Sequence, residues 1–176
     1  MEYKISTLIP EEQLKSRIAE LGAEISKDYG DEEVSMICVL KGAVFFMCEL
    51  AQNITCPVTM DFMSVSSYGS GTKSSGVVKI LKDLDQSIEG KNVLIAEDIV
   101  DSGNTLHYLV EILKKRNPKS IRICAMLDKP ERRAAPVDTD YTCFVIPDKF
   151  VVGFGLDYAQ RYRNLPYIGV VENPDD

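Results

Sequence analysis

Apolar residues follow two spacings along this chain. Leu14, Ile18, Leu21 and Ile25 recur every three or four positions and predict one buried face of a helix. That helix begins near Pro10, with Glu11 and Glu12 set against the positive end of its dipole. The runs 35–40 (SMICVL), 59–65 (TMDFMSV), 77–81 (VVKIL), 92–99 (NVLIAEDI) and 120–127 (SIRICAML) are short, β-branched-rich and bounded by turn formers, and they predict strands. Between them, 43–53 and 104–116 return to helical spacing. The second sets Leu106, Leu109, Val110 and Leu113 on one side and stops before Asn117-Pro118. Near-continuous apolar strands alternating with helices predict an α/β fold. Its central, mostly parallel sheet is flanked by helices, and its ligand site lies at the carboxyl ends of the strands.

From about Pro136 the pattern changes to short extended pieces, 143–146 and 150–154, with many aromatics. This predicts a small C-terminal hood (about 136–176) on a core of about 1–135, with the N-terminal residues as candidates to join the hood. No repeat, low-complexity tract or linker divides the chain, so its 176 residues read as one domain with one ordinary core.

Composition narrows the setting. The longest apolar stretch, 34–40 with 43–48, is broken by Lys41, so no segment approaches the roughly 20 apolar residues that span a bilayer. The start MEYKISTLIPEEQ lacks a basic region, an apolar region and a cleavage site, which predicts no secretion signal. Five cysteines at gaps of 10, 8, 68 and 19 lack the close pairs of zinc or redox motifs. Most sit in apolar runs and read as buried thiols in a reducing cytoplasm. The net charge of −7 is concentrated at the ends, with 9 acids against 4 bases in residues 1–33 and 3 acids from Glu172 onward. The chain as a whole repels nucleic acid, whereas its near-neutral middle could gather an anionic small molecule or its metal complex.

The most informative segment is 93–106, VLIAEDIVDSGNTL, a hydrophobic strand that ends in two acids and runs through small residues into a helix. Helix N-termini leave N–H donors unpaired and carry partial positive charge, so Ser102, Gly103, Asn104 and Thr105 could cradle a phosphate. Glu97 and Asp98 could accept hydrogen bonds from the vicinal hydroxyls of a ribose. Taken singly, an acidic strand end is usually a solvated turn, and Asp-Ser-Gly often only caps a helix. The order over 93–105, four apolar residues, two acids, two apolar residues, then Asp-Ser-Gly-x-Thr, resembles the phosphoribosyl-pyrophosphate (PRPP) motif of type I phosphoribosyltransferases. Leu40-Lys41-Gly42, Ser67-Tyr68, Leu127-Asp128-Lys129, 146–153 (IPDKFVVG), Leu156-Asp157-Tyr158 and 162–165 (YRNL) resemble the hypoxanthine-guanine members of that family, from about Ile37 to Val171.

The resemblance implies the type I phosphoribosyltransferase fold and Mg²⁺-dependent displacement of pyrophosphate from PRPP by a 6-oxopurine base. Glu97 and Asp98 would hold the ribose hydroxyls or the metal, with Asp157 as a further metal-site acid near the purine. Asp101 would be the catalytic base beside purine N7, and Ser102, Gly103, Asn104 and Thr105 would bind the 5′-phosphate. Lys129 would select the 6-oxo group, Phe150 would stack on the purine, and the Val151 backbone would read its edge. Arg163 would hold pyrophosphate, as would Lys41-Gly42 through a loop with a cis peptide. The glycine-rich 66–76 segment would form a lid, with Ser67 and Tyr68 touching pyrophosphate.

The resemblance also implies a homodimer or homotetramer, while the charge balance and the short apolar runs predict neither nucleic acid nor membrane as a partner. Two rivals stay open: preference for guanine or xanthine, and a PRPP-sensing, RNA-binding regulator. Without the resemblance, Lys129 reads as a surface lysine, Phe150 and Val151 as core, and Asp157 and Arg163 as a turn acid and a surface cation.

Gly71-x4-Gly76 imitates a P-loop, but Val77-Val78 stand where Lys and Ser/Thr are needed; Gly69-x-Gly71 lacks the third glycine of a dinucleotide fingerprint. The one histidine, His107, flanks the apolar stripe of its helix, which disfavours a Ser-His-Asp hydrolase. Position 104 is Asn where some family members carry a cation, so backbone donors must meet more of the phosphate charge.

Overall fold

Two-sided burial of the strands dictates the architecture. The computed structural model describes residues 3–67 and 78–172. The chain runs β1 (Ile5–Ile9), α1 (Glu11–Tyr29), β2 (Val34–Leu40), α2 (Val44–Gln52), β3 (Val58–Ser67), β4 (Val78–Lys82) and β5 (Asn92–Val100). It continues through α3 (Asn104–Lys114), β6 (Ser120–Asp128), a 3-10 turn (Pro130–Arg132), β7 (Tyr141–Val145), β8 (Val151–Val152) and β9 (Ile168–Val171). Six strands form one sheet in the order β4-β3-β2-β5-β6-β7, parallel except for β4.

Alternate strand residues enter two separate cores, as the pleat requires. Met36, Cys38, Leu94, Ala96, Cys124 and Met126 pack with α1 and α2 on one face. Ile37, Val39, Val93, Ile95, Ile123 and Ala125 pack with Leu106, Leu109 and Leu113 of α3 on the other. Four of the five cysteines are buried in or beside these strands and Cys48 is exposed; all five are free. Among the described residues, no helix is long and apolar enough to cross a membrane.

The second sheet is small, in the order β1-β9-β8, and antiparallel. It corrects the expected hood boundary at about 136. The 143–146 run belongs to β7, which pairs in parallel with β6 in the large sheet, so the hood begins after Ile146 and takes in the N-terminal strand. The connection from β6 to β7 holds only a 3-10 turn, so the helical period that marks a βα unit is missing there.

Edge strand β7 presents carbonyls that α1 covers. Arg17 donates from Nη2 to Thr142 O at 3.0 Å and from Nε to Cys143 O at 3.2 Å, while its Nη1 meets Glu24 at 2.9 Å. Arg17→Met is expected to lower the unfolding free energy by about 1–2 kcal/mol, since charge-assisted bonds to buried carbonyls exceed neutral ones. A denaturant melt with an unchanged midpoint would show that water serves those carbonyls as well.

Candidate active site

The chain leaves β2 toward β3 on one side, whereas β5 lies on the other, so the carboxyl ends of β2 and β5 flank a topological switch point. Glu97 and Asp98 stand at the end of β5, with Asp98 Oδ1 accepting the Ile99 N–H at 2.7 Å. Burial holds the Glu97 carboxyl well above the usual carboxylate range, and the neighbouring Asp98 charge adds to this. Burial raises Asp98 too, with the Arg163 charge among the groups working against it.

Lys41 and Gly42 follow β2 beside these acids. A Cβ at Gly42 would fall 1.6 Å from Asp98 Oδ2. The loop holds a cis peptide between Leu40 and Lys41, one bond before Lys41-Gly42. Neither residue type marks such a bond, because cis forms are legible in sequence only at proline.

Past β5, Asp101, Ser102 and Gly103 make a tight turn with Gly103 at φ 78°, and Gly103 O accepts the His107 N–H at 2.8 Å to open α3. A cavity of about 180 Å³ lies here, lined in part by Glu97, Asp101, Ser102, Gly103 and Thr105. Asn104 begins α3 without lining it. Asp101 Oδ1 is 2.7 Å from Arg132 Nε, an ion pair without hydrogen-bond alignment. Arg132 Nη1 also meets Asp148 Oδ2 at 3.1 Å, and this contact holds the Asp148 carboxyl below its ordinary range.

Lys129 follows β6 directly and its N–H donates to Val100 O at 2.9 Å, which fixes it beside the end of β5. It is 7% exposed, the one lysine, arginine, histidine or acid among the buried described residues, and Asp148 at 3.4 Å is its ion-pair partner. An ammonium in that setting favours a further acceptor.

The hood supplies the opposite wall. Phe150 is 43% exposed, and its ring meets Tyr158 edge-on at 5.2 Å; Tyr158 in turn meets Tyr3 at 4.9 Å. Val151 is buried in β8. Arg163 donates to Gly155 O at 2.7 Å and pairs with Asp157 Oδ1 at 2.8 Å. Lys41 Nζ and Arg163 Nη2 both approach Gln160 Oε1 at 3.4 Å, so two cations from different elements converge on one spot.

The structure thus brings Lys41, Gly42, Glu97, Asp98, Asp101, Ser102, Gly103 and Lys129 to the carboxyl ends of the central strands, with Arg163 reaching them from the hood. It does not gather Asp157 with Glu97 and Asp98. Among the described residues no three His, Cys, Asp or Glu side chains form a metal cluster. The Glu97–Asp98 pair still fits Mg²⁺: two adjacent, desolvated oxygen donors suit a cation that takes one or two carboxylates and completes its shell from substrate and water. Ser67 ends β3 opposite Val78, whereas Tyr68 and most of the proposed lid lie outside the described residues.

Sequence reasoning missed Arg132, Arg133, Asp148 and Gln160, each of which contacts the site from another element. Asp148 sat within the quoted 146–153 motif, where an acid facing Lys129 could have been sought.

Comparison with known proteins agrees with this geometry. A family model described as a phosphoribosyl transferase domain matches residues 6–159. The chain is 56% identical over 165 residues to a hypoxanthine-guanine phosphoribosyltransferase of Bacillus subtilis, covering 94% of this chain and 92% of that one. It is 53% identical over 173 residues to a hypoxanthine phosphoribosyltransferase of Salmonella typhimurium, covering 97% of each. A crystal structure of a hypoxanthine phosphoribosyltransferase from Staphylococcus aureus superposes with a TM-score of 0.93 at 47% identity, covering 95% of this chain and 91% of that one. With its parallel sheet, switch-point acids and matched residues, the chain belongs to the phosphoribosyl transferase family.

Proposed function

We propose that the chain transfers the 5-phosphoribosyl group from PRPP to hypoxanthine or guanine, giving a nucleoside 5′-monophosphate and pyrophosphate. The observation that carries the 6-oxopurine reading is Lys129. A buried ammonium, on a residue whose backbone is held at Val100 next to Asp101 in the chain, can donate to O6 of hypoxanthine or guanine, where adenine presents a donor of its own.

In this reading N9 of the purine bonds to the anomeric carbon as the bond to pyrophosphate breaks. Asp101 takes the proton from N7, Phe150 covers the purine face and the Val151 backbone meets its edge. Ser102, Gly103, Asn104 and Thr105 surround the 5′-phosphate. Lys41, Gly42 and Arg163 hold the leaving pyrophosphate, with Ser67 and Tyr68 as lid contacts. Catalysis then rests on positioning and charge. Glu97 and Asp98 would bind Mg²⁺, with Asp157 toward the purine side, and the ion would neutralise charge on the leaving group.

Turnover with PRPP, Mg²⁺ and each of hypoxanthine, guanine, xanthine and adenine tests the assignment. Hypoxanthine and guanine should react and adenine should stay at background; xanthine as the sole good substrate would favour the rival preference. Lys129→Gln should cut kcat/KM for hypoxanthine about 10–100-fold while narrowing its advantage over adenine. Loss of activity with all bases in equal proportion would contradict the role given to Lys129.

The cytoplasm is proposed as its compartment, in keeping with five free cysteines. A homodimer or homotetramer is proposed too, and the exposed Phe45 and Met60, each 45% accessible, are suitable contact residues. Light scattering at working concentration decides the oligomeric state.

A further inference from the structure

The phosphate loop is held from behind by the segment that follows Lys129. A trans peptide is planar, with its C=O and the next residue's N–H pointing to opposite sides, so a partner that fixes a carbonyl also aims the following amide. Asp101 O accepts from Arg133 Nη1 at 2.8 Å. Ser102 O accepts from the Ala134 and Ala135 N–H groups at 2.9 and 3.1 Å. Two consecutive carbonyls are thereby drawn onto 133–135. The paired amides, those of Ser102 and Gly103, have no acceptor among the described residues, and both residues line the cavity.

The hold is tight and anchored. A Cβ at Gly103 would meet Val137 Cγ1 at 2.5 Å and Arg133 Cδ at 3.2 Å, so this segment packs directly on the rear of the loop. The Arg133 side chain is 18% exposed and is ion-paired with Asp128, itself 13% exposed, at the end of β6. Its planar fork holds the Asp128 carboxylate with one arm and the Asp101 carbonyl with the other. A cationic donor on a carbonyl also polarises that peptide and strengthens its N–H as a donor. This matters in a chain whose position 104 is Asn and offers the phosphate no side-chain charge.

We propose that Arg133 is a positioning residue for the phosphate loop: with the Ala134 and Ala135 amides it aims the Ser102 and Gly103 N–H groups at the 5′-phosphate. The inference rests on the reading given under Proposed function and adds a residue that touches no substrate. An ammonium cannot span both partners as the fork does, so Arg133→Lys keeps the charge near Asp128 and gives up the Asp101 carbonyl.

The test compares the affinities of IMP and of inosine, its twin without phosphate, for the full-length wild type and for Arg133→Lys and Arg133→Met, with melting temperatures recorded alongside. IMP binding should weaken about tenfold in both variants while inosine binding stays within about twofold. If Arg133→Met does not fold, Arg133→Lys carries the comparison alone. Equal weakening of both ligands, or a lower melting temperature with an unchanged IMP-to-inosine ratio, overturns the proposal and leaves Arg133 a structural residue. A wild type that fails to prefer IMP over inosine would instead sink the phosphoribosyl-transfer reading on which it rests.

Discussion

Asp101→Asn is expected to lower kcat by about 10²–10⁴-fold, the range that a positioned general base contributes, and to leave the affinity for PRPP within a few-fold. The two effects separate because the residue has two separable parts. Its backbone carbonyl, held by Arg133, belongs to the phosphate loop, and that bond survives a change of side chain. Its carboxylate lines the cavity, where it can take a proton that an amide cannot. Arg132 at 2.7 Å fixes the carboxylate from one side, and this pair is half-exposed, so losing it costs little in stability. Steady-state kinetics with hypoxanthine and a separate titration with PRPP read the split. A fall in PRPP affinity that matches the fall in kcat would mean that Asp101 serves the loop and not the proton.

Gly155→Ala should be the most damaging single methyl group in the site, costing about 2–5 kcal/mol of stability and most of the PRPP affinity. Gly155 has φ 103°, where an L side chain is strained, and a Cβ there would stand 1.9 Å from Gly42 O, a backbone atom that cannot rotate away. The hood must therefore lift off the Lys41-Gly42 turn. Arg163 would move with it, since its guanidinium donates to Gly155 O and its own carbonyl accepts the Gly155 N–H at 2.9 Å. Gly90→Ala is the matched control: φ is 71° but no atom lies within 4 Å, so only backbone strain of about 1–2 kcal/mol is expected. Equal denaturation midpoints for the two variants would show that the hood and the turn are not in contact as described.

The central sheet was legible because β2, β5 and β6 are buried on both faces, which leaves near-continuous apolar runs that few other structures tolerate. β1 and β9 were not predicted. Ile5–Ile9 shows a weak period with polar Ser6 and Thr7 at its centre, and Ile168–Val171 is four residues with a glycine among them. Each is specified by pairing with the other end of the chain, which local pattern does not carry. β7 was seen as extended and given to the wrong sheet, because its neighbour β6 is reached without a helix.

Among the site residues, Glu97 to Thr105 were readable as a contiguous strand, turn and helix start. Lys129 reads as a surface lysine from its own spacing and as a site residue only through the resemblance, because the bond from its N–H to Val100 O on β5 joins strands far apart in the chain. Arg132, Arg133, Asp148 and Gln160 act across space between elements far apart in the chain, and no spacing rule reports such meetings.

In the proposed reaction the loop from Asp101 to Thr105 grips a sugar phosphate while a 6-oxopurine replaces pyrophosphate on it. Quantifying both products from PRPP, Mg²⁺ and hypoxanthine is the decisive measurement. IMP and pyrophosphate should form in equal amounts, and neither should form without the base. Pyrophosphate released without IMP, or no consumption of PRPP at all, would contradict that reaction.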